Sequence, residues 1–254
     1  MIPSRALTLL CAAALLGGAS QARAQEPAPA PSPTPEPLWK GSIGGGLAIT
    51  TGNSDTNSYN LSFAAAYDPK RKNSLKSEGL YLRSTTTDVR TVDKTALFVR
   101  DEYKLSERSF VFADTHFFRD VLKGIDYLIS PIAGAGVKLV NTKRTLFALD
   151  AGAGGQFERD QGRSSTSSGA LQAGQLLTVK LSENANLTQR SSALWKMSDF
   201  GDALYRGELS IAASLARRFL LKLSFLDDYK TRPASPELEK NDISIVTSLV
   251  FKIG

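Results

Sequence analysis

Cysteine is almost absent from this sequence of 254 residues, which has a single one, Cys11. Cys11 lies in an apolar N-terminal segment that has the character of a signal peptide, so the exported chain is expected to have no cysteine. Without cysteine the chain can form no disulfide, even in an oxidising compartment. A metal site or a nucleophile built on cysteine is excluded for the same reason.

Long apolar runs and clusters of basic residues are also missing. From residue 38 onward no apolar stretch reaches the roughly 18 residues that a membrane-spanning helix needs. The 31 Lys and Arg exceed the 25 Asp and Glu, for a net charge of +6, but they are scattered along the chain. Since a nucleic-acid-binding protein needs a concentrated basic surface, the sequence predicts no nucleic-acid partner.

The N-terminal region has the features of an exported precursor. Residues 1–24 predict a signal peptide, with Arg5 as the positive start, an apolar stretch at 7–18 and an A-x-A cleavage site at 22–24. A permanent anchor helix is disfavoured because the apolar stretch is too short to span a bilayer. Residues 25–37 contain six prolines and predict an extended Pro/Ala-rich periplasmic tether, or a disordered segment without a role.

Residues 38–254 alternate almost throughout between apolar and polar side chains. In the last segment Ile243, Ile245 and Leu249 fall on one face, whereas Ser244 and Ser248 fall on the other. This period of two is typical of a strand with one apolar and one polar face. Twelve such segments are predicted, at about 39–51, 55–68, 74–86, 93–105, 109–119, 127–140, 145–159, 169–182, 186–198, 203–216, 218–230 and 242–253.

These strands predict an all-β, up-and-down antiparallel transmembrane β-barrel of about twelve strands in the bacterial outer membrane, where even strand numbers are usual. Long charged side chains occur within the polar faces, and a barrel interior can accept them. The apolar faces carry Trp and Tyr near strand ends, as membrane interfaces favour. Closure also removes the unpaired edges of an open sheet. A soluble periplasmic β protein is the alternative, since its strands alternate as well.

The connections predict an orientation for this barrel. Tight polar turns and both chain ends are expected at the periplasmic rim. Longer loops are expected outside the cell, at 86–92, 121–126, 160–168, 199–202 and 231–241. Four polar residues fit poorly because they fall on the predicted lipid-facing side: Asp101, Gln175, Gln189 and Asp227. A shift of register near Asp101 would turn it inward.

Three stretches together resemble one known family. They are TTGNSDTNSYNLSF at 50–63, DEYKLSERSFVFAD at 101–114 and the segment 124–160, which begins GIDYLISPIAGAGVKLV. They resemble the YdiY-like family of salt-induced or acid-inducible outer-membrane proteins, over residues 39–253. The resemblance implies an outer-membrane barrel with a link to osmotic or acid stress, and it implies no catalytic residues. The chain departs from the usual pattern at its end, where Gly254 replaces a terminal aromatic residue.

The single histidine, His116, raises the possibility of a barrel enzyme such as a phospholipase or a protease. Barrel lipases are also twelve-stranded, and a serine nucleophile needs a base such as histidine. The alternation, however, puts Asp114 and His116 in the interior, whereas barrel lipases work at the lipid-facing wall. We therefore predict that the protein is not an enzyme, with no catalytic, cofactor-binding or metal-ligating residues and no cofactor.

A mixed set of charged side chains is predicted in the barrel interior. Opposite charges there can pair and plug the lumen or can line a narrow pore, and a twelve-stranded barrel allows either. The candidate lumen-lining residues are Glu102, Asp114, His116, Lys138, Asp150, Glu158, Arg190, Lys196, Arg206, Glu208 and Lys222.

The sequence leaves three functions open. The first is a non-enzymatic barrel related to osmotic or acid stress of the envelope and acting as a narrow pore. The second is the barrel enzyme, and the third is a surface-binding protein, which the modest loop lengths disfavour. The expected partners are outer-membrane lipid, lipopolysaccharide and the barrel-assembly machinery, and the protein is expected to be a monomer.

Overall fold

The computed structural model describes residues 37–50, 56–69, 71–233, 235 and 237–253. The predicted signal peptide (1–24) and all but the last residue of the predicted tether (25–37) lie outside the described residues. Within the described part of the chain, no helix is both long and apolar enough to cross a membrane.

In the described part of the chain, twelve antiparallel strands form a closed barrel, which confirms the all-β, up-and-down prediction. Each strand pairs with its neighbours in the chain, and the last strand pairs with the first. The strands are β1 (Trp39–Thr50), β2 (Thr56–Tyr67), β3 (Asn73–Thr86), β4 (Val89–Lys104), β5 (Ser109–Asp120), β6 (Ile125–Asn141), β7 (Thr145–Asp160), β8 (Thr166–Lys180), β9 (Ala185–Lys196), β10 (Asp199–Ser214), β11 (Phe219–Lys230) and β12 (Asn241–Ile253).

The barrel closes at a seam between β1 and β12. The seam ladder runs from Gly41 opposite Ile253 to Gly45 opposite Leu249. Ile253 therefore ends the final ladder, and its side chain is exposed on the outer wall. Because β1 and β12 are paired with each other, neither presents a free edge that would have to be satisfied in lipid.

The rim that holds Trp39 and Ile253, here called the terminal rim, has short connections. Its five connections have three to five residues each, at 68–72, 105–108, 142–144, 181–184 and 215–218. Because the strand number is even, the first and last strands begin and end at this rim. The placement of both strand ends and of the tight turns at one rim agrees with the predicted pattern.

The opposite rim, the far rim, has shorter connections than the sequence predicts. The predicted loop 86–92 is a two-residue turn of Thr87 and Asp88, whose φ angles of 49° and 62° suit a tight hairpin turn. The predicted loop 199–202 is wrong too, because β10 already begins at Asp199. The ladders continue past the apolar part of the wall, where both faces of a strand can be polar and the alternation fades.

Alternation places apolar side chains on the outer wall and polar ones inside. Phe225, Ile245 and Leu249 face outward on β11 and β12 and are 41 to 73% exposed. Ser224 and Ser248, on the opposite faces of the same strands, are buried in the interior. This arrangement is the reverse of a soluble globular protein, in which the exposed surface is the polar one.

Asp101 lies on the outer wall without any irregularity of the sheet. It is opposite Leu75 on β3 and Ala113 on β5, and the one register shift between β3 and β4 lies at Ser84/Thr85. The register shift that would have turned Asp101 inward is therefore absent there. Asp101 lies three residues before the end of β4, close to the terminal rim, where a lipid-facing charge costs less than at the middle of the bilayer.

Candidate functional site: the charged interior

All eleven predicted lumen-lining residues lie on the inward faces of their strands, as the alternating burial and the register show. Their functional role stays a prediction, but their arrangement is defined. They do not form one site, because the charged side chains are divided into two layers along the barrel axis. Glu158, Lys196 and Arg206 belong to a layer beside the far rim, and seven others to a layer nearer the terminal rim. His116 lies between the two.

The far-rim layer contains equal numbers of opposite charges that contact one another in networks. Its members come from seven strands and from the turn after β5. They are five cations and five carboxylates: Lys94, Lys123, Lys196, Arg206 and Lys230, with Asp120, Glu158, Asp202, Asp228 and Asp242.

Asp228 joins opposite walls of the barrel within this layer. The Lys94 ammonium donates to Asp228 Oδ2 at 2.7 Å, and Arg206 Nε donates to Asp228 Oδ1 at 3.1 Å. Lys94 lies on β4 and Asp228 on β11, which are five strands apart around the ring, so this contact crosses the lumen. The side chains of Lys94 and Asp228 are only 5% and 11% exposed. The contact therefore blocks the lumen with a desolvated ion pair.

A second contact across the lumen involves Glu158 on β7. Lys230 Nζ on β11 donates to Glu158 Oε1 at 2.5 Å, and Lys196 Nζ donates to Glu158 Oε2 at 3.1 Å. Both ammonium groups also lie 3.3 Å from Asp202. Gln156 adds a hydrogen bond of 3.1 Å to Glu158 Oε2. Each buried charge in this group thus has an opposite charge in contact, which buried ions require.

The turn between β5 and β6 folds into the barrel mouth. Lys123 in this turn is buried, and its Nζ donates to the main-chain carbonyls of Asp228 at 2.7 Å and of Lys240 at 2.9 Å. Asp120 Oδ1 accepts the main-chain N–H groups of Leu122 and Lys123, each at 3.2 Å. The turn is therefore fixed at both its base and its tip, and it covers the far-rim layer from outside.

An apolar floor lies under the far-rim layer. Phe118, Ile125, Leu128 and Leu204 form a buried cluster that projects into the lumen. The Arg206 guanidinium stacks 3.8 Å from the centre of the Phe118 ring, which binds the charged layer to the floor. Beside the floor, the lumen holds a void of about 20 Å³, which is lined by Phe118, Leu128, Leu204 and Arg206 together with His116 and Gln172. That space suits about one water molecule.

The terminal-rim layer also has five cations and five carboxylates, but part of it is open to solvent. Its members are Lys76, Arg100, Lys138, Arg190 and Lys222, with Glu78, Glu102, Asp114, Asp150 and Glu208. Arg190 on β9 binds Glu78 on β3 through two hydrogen bonds, of 2.7 and 3.1 Å. These strands are six apart, so this pair also spans the lumen. Its side chains are nevertheless 39% and 38% exposed, because they meet water on the terminal-rim side.

The other part of the terminal-rim layer is buried around Arg100. Its two terminal nitrogens donate to Asp114 Oδ2 at 3.2 Å and to Asp150 Oδ2 at 3.0 Å. The guanidinium also lies 3.8 Å from the centre of the Phe112 ring. Phe112 occupies the space that Gly134 leaves on β6, since a Cβ on Gly134 would come within 2.8 Å of the ring. Arg100 thus narrows the lumen along the wall formed by β4 to β7.

The structure brings a serine next to His116, which the sequence does not predict. Ser130 on β6 is the direct cross-strand partner of His116, and His116 Nε2 lies 3.5 Å from Asp114 Oδ1. Ser130 Oγ, His116 Nε2 and Asp114 Oδ1 are buried without a hydrogen-bonding partner among the residues described. The residue types match a nucleophile, a base and an orienting acid. However, Ser130 has no exposed surface in this structure, and the void that His116 lines has room for about one water.

Half of the twenty charged residues in the two layers were not among the sequence candidates. Of the far-rim layer, Lys94, Asp120, Lys123, Asp202, Asp228, Lys230 and Asp242 were missed, and of the other layer Lys76, Glu78 and Arg100. The alternation carried a usable signal for several of them, since Lys94, Arg100 and Asp228 share the inward parity of their strands. It carried none for Lys123, which lies in a turn.

Comparison with known proteins identifies the family of this chain. The family model described as "Protein of unknown function, DUF481" matches residues 43–253. No curated protein matches the chain. Among solved structures, the chain is similar to the NanC porin, with 10% identity, coverage of 84% of this chain and 96% of that one, and a TM-score of 0.48.

Two further solved structures are similar at the same level. The translocator domain of the autotransporter NalP from Neisseria meningitidis has 12% identity, with coverage of 84% of this chain and 86% of that one, and a TM-score of 0.45. The outer-membrane channel DcaP of Acinetobacter baumannii has 8% identity, with coverage of 85% and 95%, and a TM-score of 0.40.

Proposed function

Since the chain belongs to the DUF481 family, whose function is unknown, we propose a function from the geometry of the barrel. The protein is an outer-membrane barrel that acts as a narrow, gated pore. Its far-rim layer is the gate, and the gate is closed in this structure. The terminal rim faces the periplasm, and the far rim faces the outside of the cell.

The outer wall supports placement in a membrane. Leu47, Leu61, Phe225, Ile245 and Leu249 all project outward with 41 to 82% of their surface exposed. A band of this kind is favourable in lipid and unfavourable in water. Trp and Tyr side chains lie toward strand ends, where they suit the two interfaces. Closure at the seam leaves every strand paired, which lipid requires.

The lumen-crossing contact between Lys94 and Asp228 carries the proposal of a gate. A permanent plug can be built from apolar side chains alone, and exposing such side chains to water is unfavourable. An ion pair differs, because when its two charges separate into water they regain much of the hydration free energy that burial cost them. The closed, paired state and an open, hydrated state of the far-rim layer are therefore close in free energy, so that a small bias can shift the layer between them.

Planar-bilayer conductance of the purified, folded protein tests this function. We expect rare, small openings for the unaltered protein and frequent, larger ones for Asp228→Ala, which removes both the Lys94 and the Arg206 contact. Glu78→Gln is the matched control, because it also removes a lumen-crossing contact but leaves the far-rim layer intact. Folding of each variant is checked by migration on a gel with and without boiling.

Two outcomes overturn the gated pore. If the unaltered protein and Asp228→Ala are both silent over a wide range of salt and voltage while both are folded, the lumen is a fixed plug and the barrel has a structural role. If Glu78→Gln opens the barrel as much as Asp228→Ala does, the far-rim layer is not the gate.

We further propose a role in osmotic or acid stress, as the YdiY-like resemblance implies, with lipid, lipopolysaccharide and the assembly machinery as partners of a monomeric barrel. Deletion strains support this role if they grow more slowly than the parent strain specifically at high salt or low pH. Equal growth under every condition argues against it.

The protein is proposed not to be an enzyme, although Ser130 and Asp114 adjoin His116. The observation in support is the complete burial of Ser130. Phospholipid and peptide hydrolysis by the folded protein should be absent, and His116→Ala should change neither. Hydrolysis that His116→Ala abolishes would make the enzyme the correct function.

A further inference from the structure

Two polar rows on the outer wall face away from the charged interior. In the first row Gln175 lies opposite Ser191 on β9, Ser191 opposite Gly207 on β10, and Gly207 opposite Asp227 on β11. Three of these residues are polar. The next row toward the terminal rim has one polar residue, Gln189, beside Leu177, Leu209 and Phe225. The sequence alternation identifies Gln175 and Asp227 only as polar residues on the lipid-facing side, whereas the strand register places them in one row.

The second row lies nearer the far rim and combines small with aromatic residues. Together the two rows line an open groove of about 390 Å³, here called the outer groove. Its volume is in the range of small-molecule binding sites. The second row consists of Ala173, Ala193, Tyr205 and Tyr229.

Asp227 gives the outer groove its negative charge. The other charged residue that lines it, Arg206, extends inward and binds Asp228. Oδ1 of Asp227 is buried, yet it has no hydrogen-bonding partner within the described part of the chain. The neighbouring amides differ, since Gln175 donates to Gln189 at 2.7 Å and Gln189 donates to Ser191 at 2.6 Å. Among these polar groups of the outer wall, the Asp227 carboxylate is the one with an oxygen, Oδ1, to which no neighbour among the described residues donates.

The depth of Asp227 in the wall makes this missing partner important. The rings of Tyr205 and Tyr229 are tilted against each other with their centres 6.2 Å apart, and the Tyr205 hydroxyl accepts a hydrogen bond from Trp195 Nε1. These three side chains suit the membrane interface. Asp227 precedes Tyr229 by two residues and so lies about 7 Å further from the rim. A lone carboxylate just inside the apolar zone is unfavourable unless a cation or a donor pairs with it.

We propose that the outer groove binds the headgroup of a lipid that carries a primary ammonium. The ammonium donates to the Asp227 carboxylate and lies against the Tyr205 and Tyr229 rings, which attract cations. One acyl chain then follows Leu209 and Phe225, at the apolar end of the next row, into the bilayer. An anionic phosphate alone would be repelled by Asp227, and a quaternary ammonium has no N–H to donate to the carboxylate.

This inference rests on the proposed placement of the barrel in a membrane. It is tested with the full folded chain in detergent, by mass spectrometry of intact protein with bound lipid. Phosphatidylethanolamine supplies the primary ammonium, and phosphatidylcholine with the same acyl chains supplies the quaternary one. One charge-assisted hydrogen bond corresponds to about a tenfold preference for phosphatidylethanolamine.

Three variants separate the groove from general effects of charge and surface. Asp227→Asn should reduce the preference to about equal binding of the two lipids. Asp101→Asn is the matched control, because Asp101 is also an outward carboxylate but lies outside the groove, and it should keep the full preference. Gly207→Leu should abolish retention of both lipids, since Gly207 lies under the groove and a Cβ there has space, 3.8 Å from Asp227 Cβ.

Each other outcome overturns the proposal. If the unaltered protein binds the two lipids equally, the primary ammonium is not what is recognised. If Asp101→Asn loses the preference as fully as Asp227→Asn does, the outer groove is not the binding site. If free ethanolamine competes as well as the lipid does, the groove is a small-molecule site. If the barrels are paired and Gly207→Leu separates them, the occupant of the groove is a second copy of the chain. Insertion into vesicles is scored separately, by gel migration with and without boiling. A barrel that inserts without lipid preference overturns this proposal alone, whereas a barrel that does not insert overturns the membrane placement.

Discussion

The far-rim layer and the terminal-rim layer contain the same charges, five cations and five carboxylates each, but differ in their access to water. The Lys94–Asp228 pair is 5% and 11% exposed, whereas the Arg190–Glu78 pair is 39% and 38% exposed, although both cross the lumen. The far-rim layer is covered by the inward turn that carries Lys123 and rests on the cluster of Phe118 and its neighbours. Closure of the lumen therefore depends less on the charges than on the apolar floor and the turn that keep water away from them.

The largest effect is expected when a charge of the far-rim layer loses its partner. Asp228→Asn leaves the half-buried Arg206 without its carboxylate and the buried Lys94 with only Asp120, 3.6 Å away. This should lower the free energy of unfolding by about 3 kcal/mol. Urea unfolding of the folded barrel in detergent measures the change. The double variant Lys94→Met with Asp228→Leu should recover part of the loss. If Asp228→Asn costs no more than Glu78→Gln, the two layers do not differ as described.

The next effect concerns the turn that covers the far-rim layer. Lys123→Met keeps most of the side-chain volume but removes the donor to the carbonyls of Asp228 and Lys240, which should cost about 2 kcal/mol. The turn should also open more often, so the amide of Gly124 should exchange its hydrogen faster than in the unaltered protein. Lys143→Met, in a turn of the terminal rim, is the control and should change neither quantity. Unchanged exchange at Gly124 would mean that Lys123 does not fix the turn.

A smaller effect is expected for the solvated pair of the terminal-rim layer. Glu78→Gln should lower the free energy of unfolding by about 1 kcal/mol or less, because water can replace the lost partner of Arg190. Arg190→Met should have an effect of similar size, and the double variant should show little additional loss. A loss of several kcal/mol in either single variant would place this pair in a dry environment and would remove the contrast between the layers.

The smallest effect is expected from salt. In a double-mutant cycle, the coupling between Glu78 and Arg190 should fall by a few tenths of a kcal/mol between about 0.1 and 1 M salt, because mobile ions screen exposed charges. The coupling between Glu158 and Lys230 should remain, since both side chains are at most 5% exposed. Equal salt dependence in the two cycles would show that ions reach both layers.

The sequence predicted the barrel well because strand alternation is a local property. The twelve strands, their antiparallel order and the inward direction of residues such as Lys138 and Glu208 all follow from a period of two. Contacts across the lumen are not local. Lys94 and Asp228 are 134 residues apart in the chain, and they meet only because of the number and stagger of the strands between them.

The tight far-rim turns and the outer groove could not be predicted from the sequence, for related reasons. The tight turn at Thr87 and Asp88 lies where both strand faces are polar, so the alternation gives no sign that the ladder continues. Gln175 and Asp227 were recognised as unsuited to lipid, but four strands had to be placed in register before they fell in one row. A residue that contradicts its pattern is in this case a sign of a site rather than of an error.

The seam has a consequence for how this protein reaches its final form. Gly45 and Leu249, which face each other there, are 204 positions apart in the chain. Every other ladder can form between neighbours as soon as both strands are available, but this one must wait for the last strand. Until then β1 and β11 both present unpaired edges, to which another polypeptide can add. We therefore expect that these edges need a covering partner in the period before closure, and that loss of β12 would leave them open.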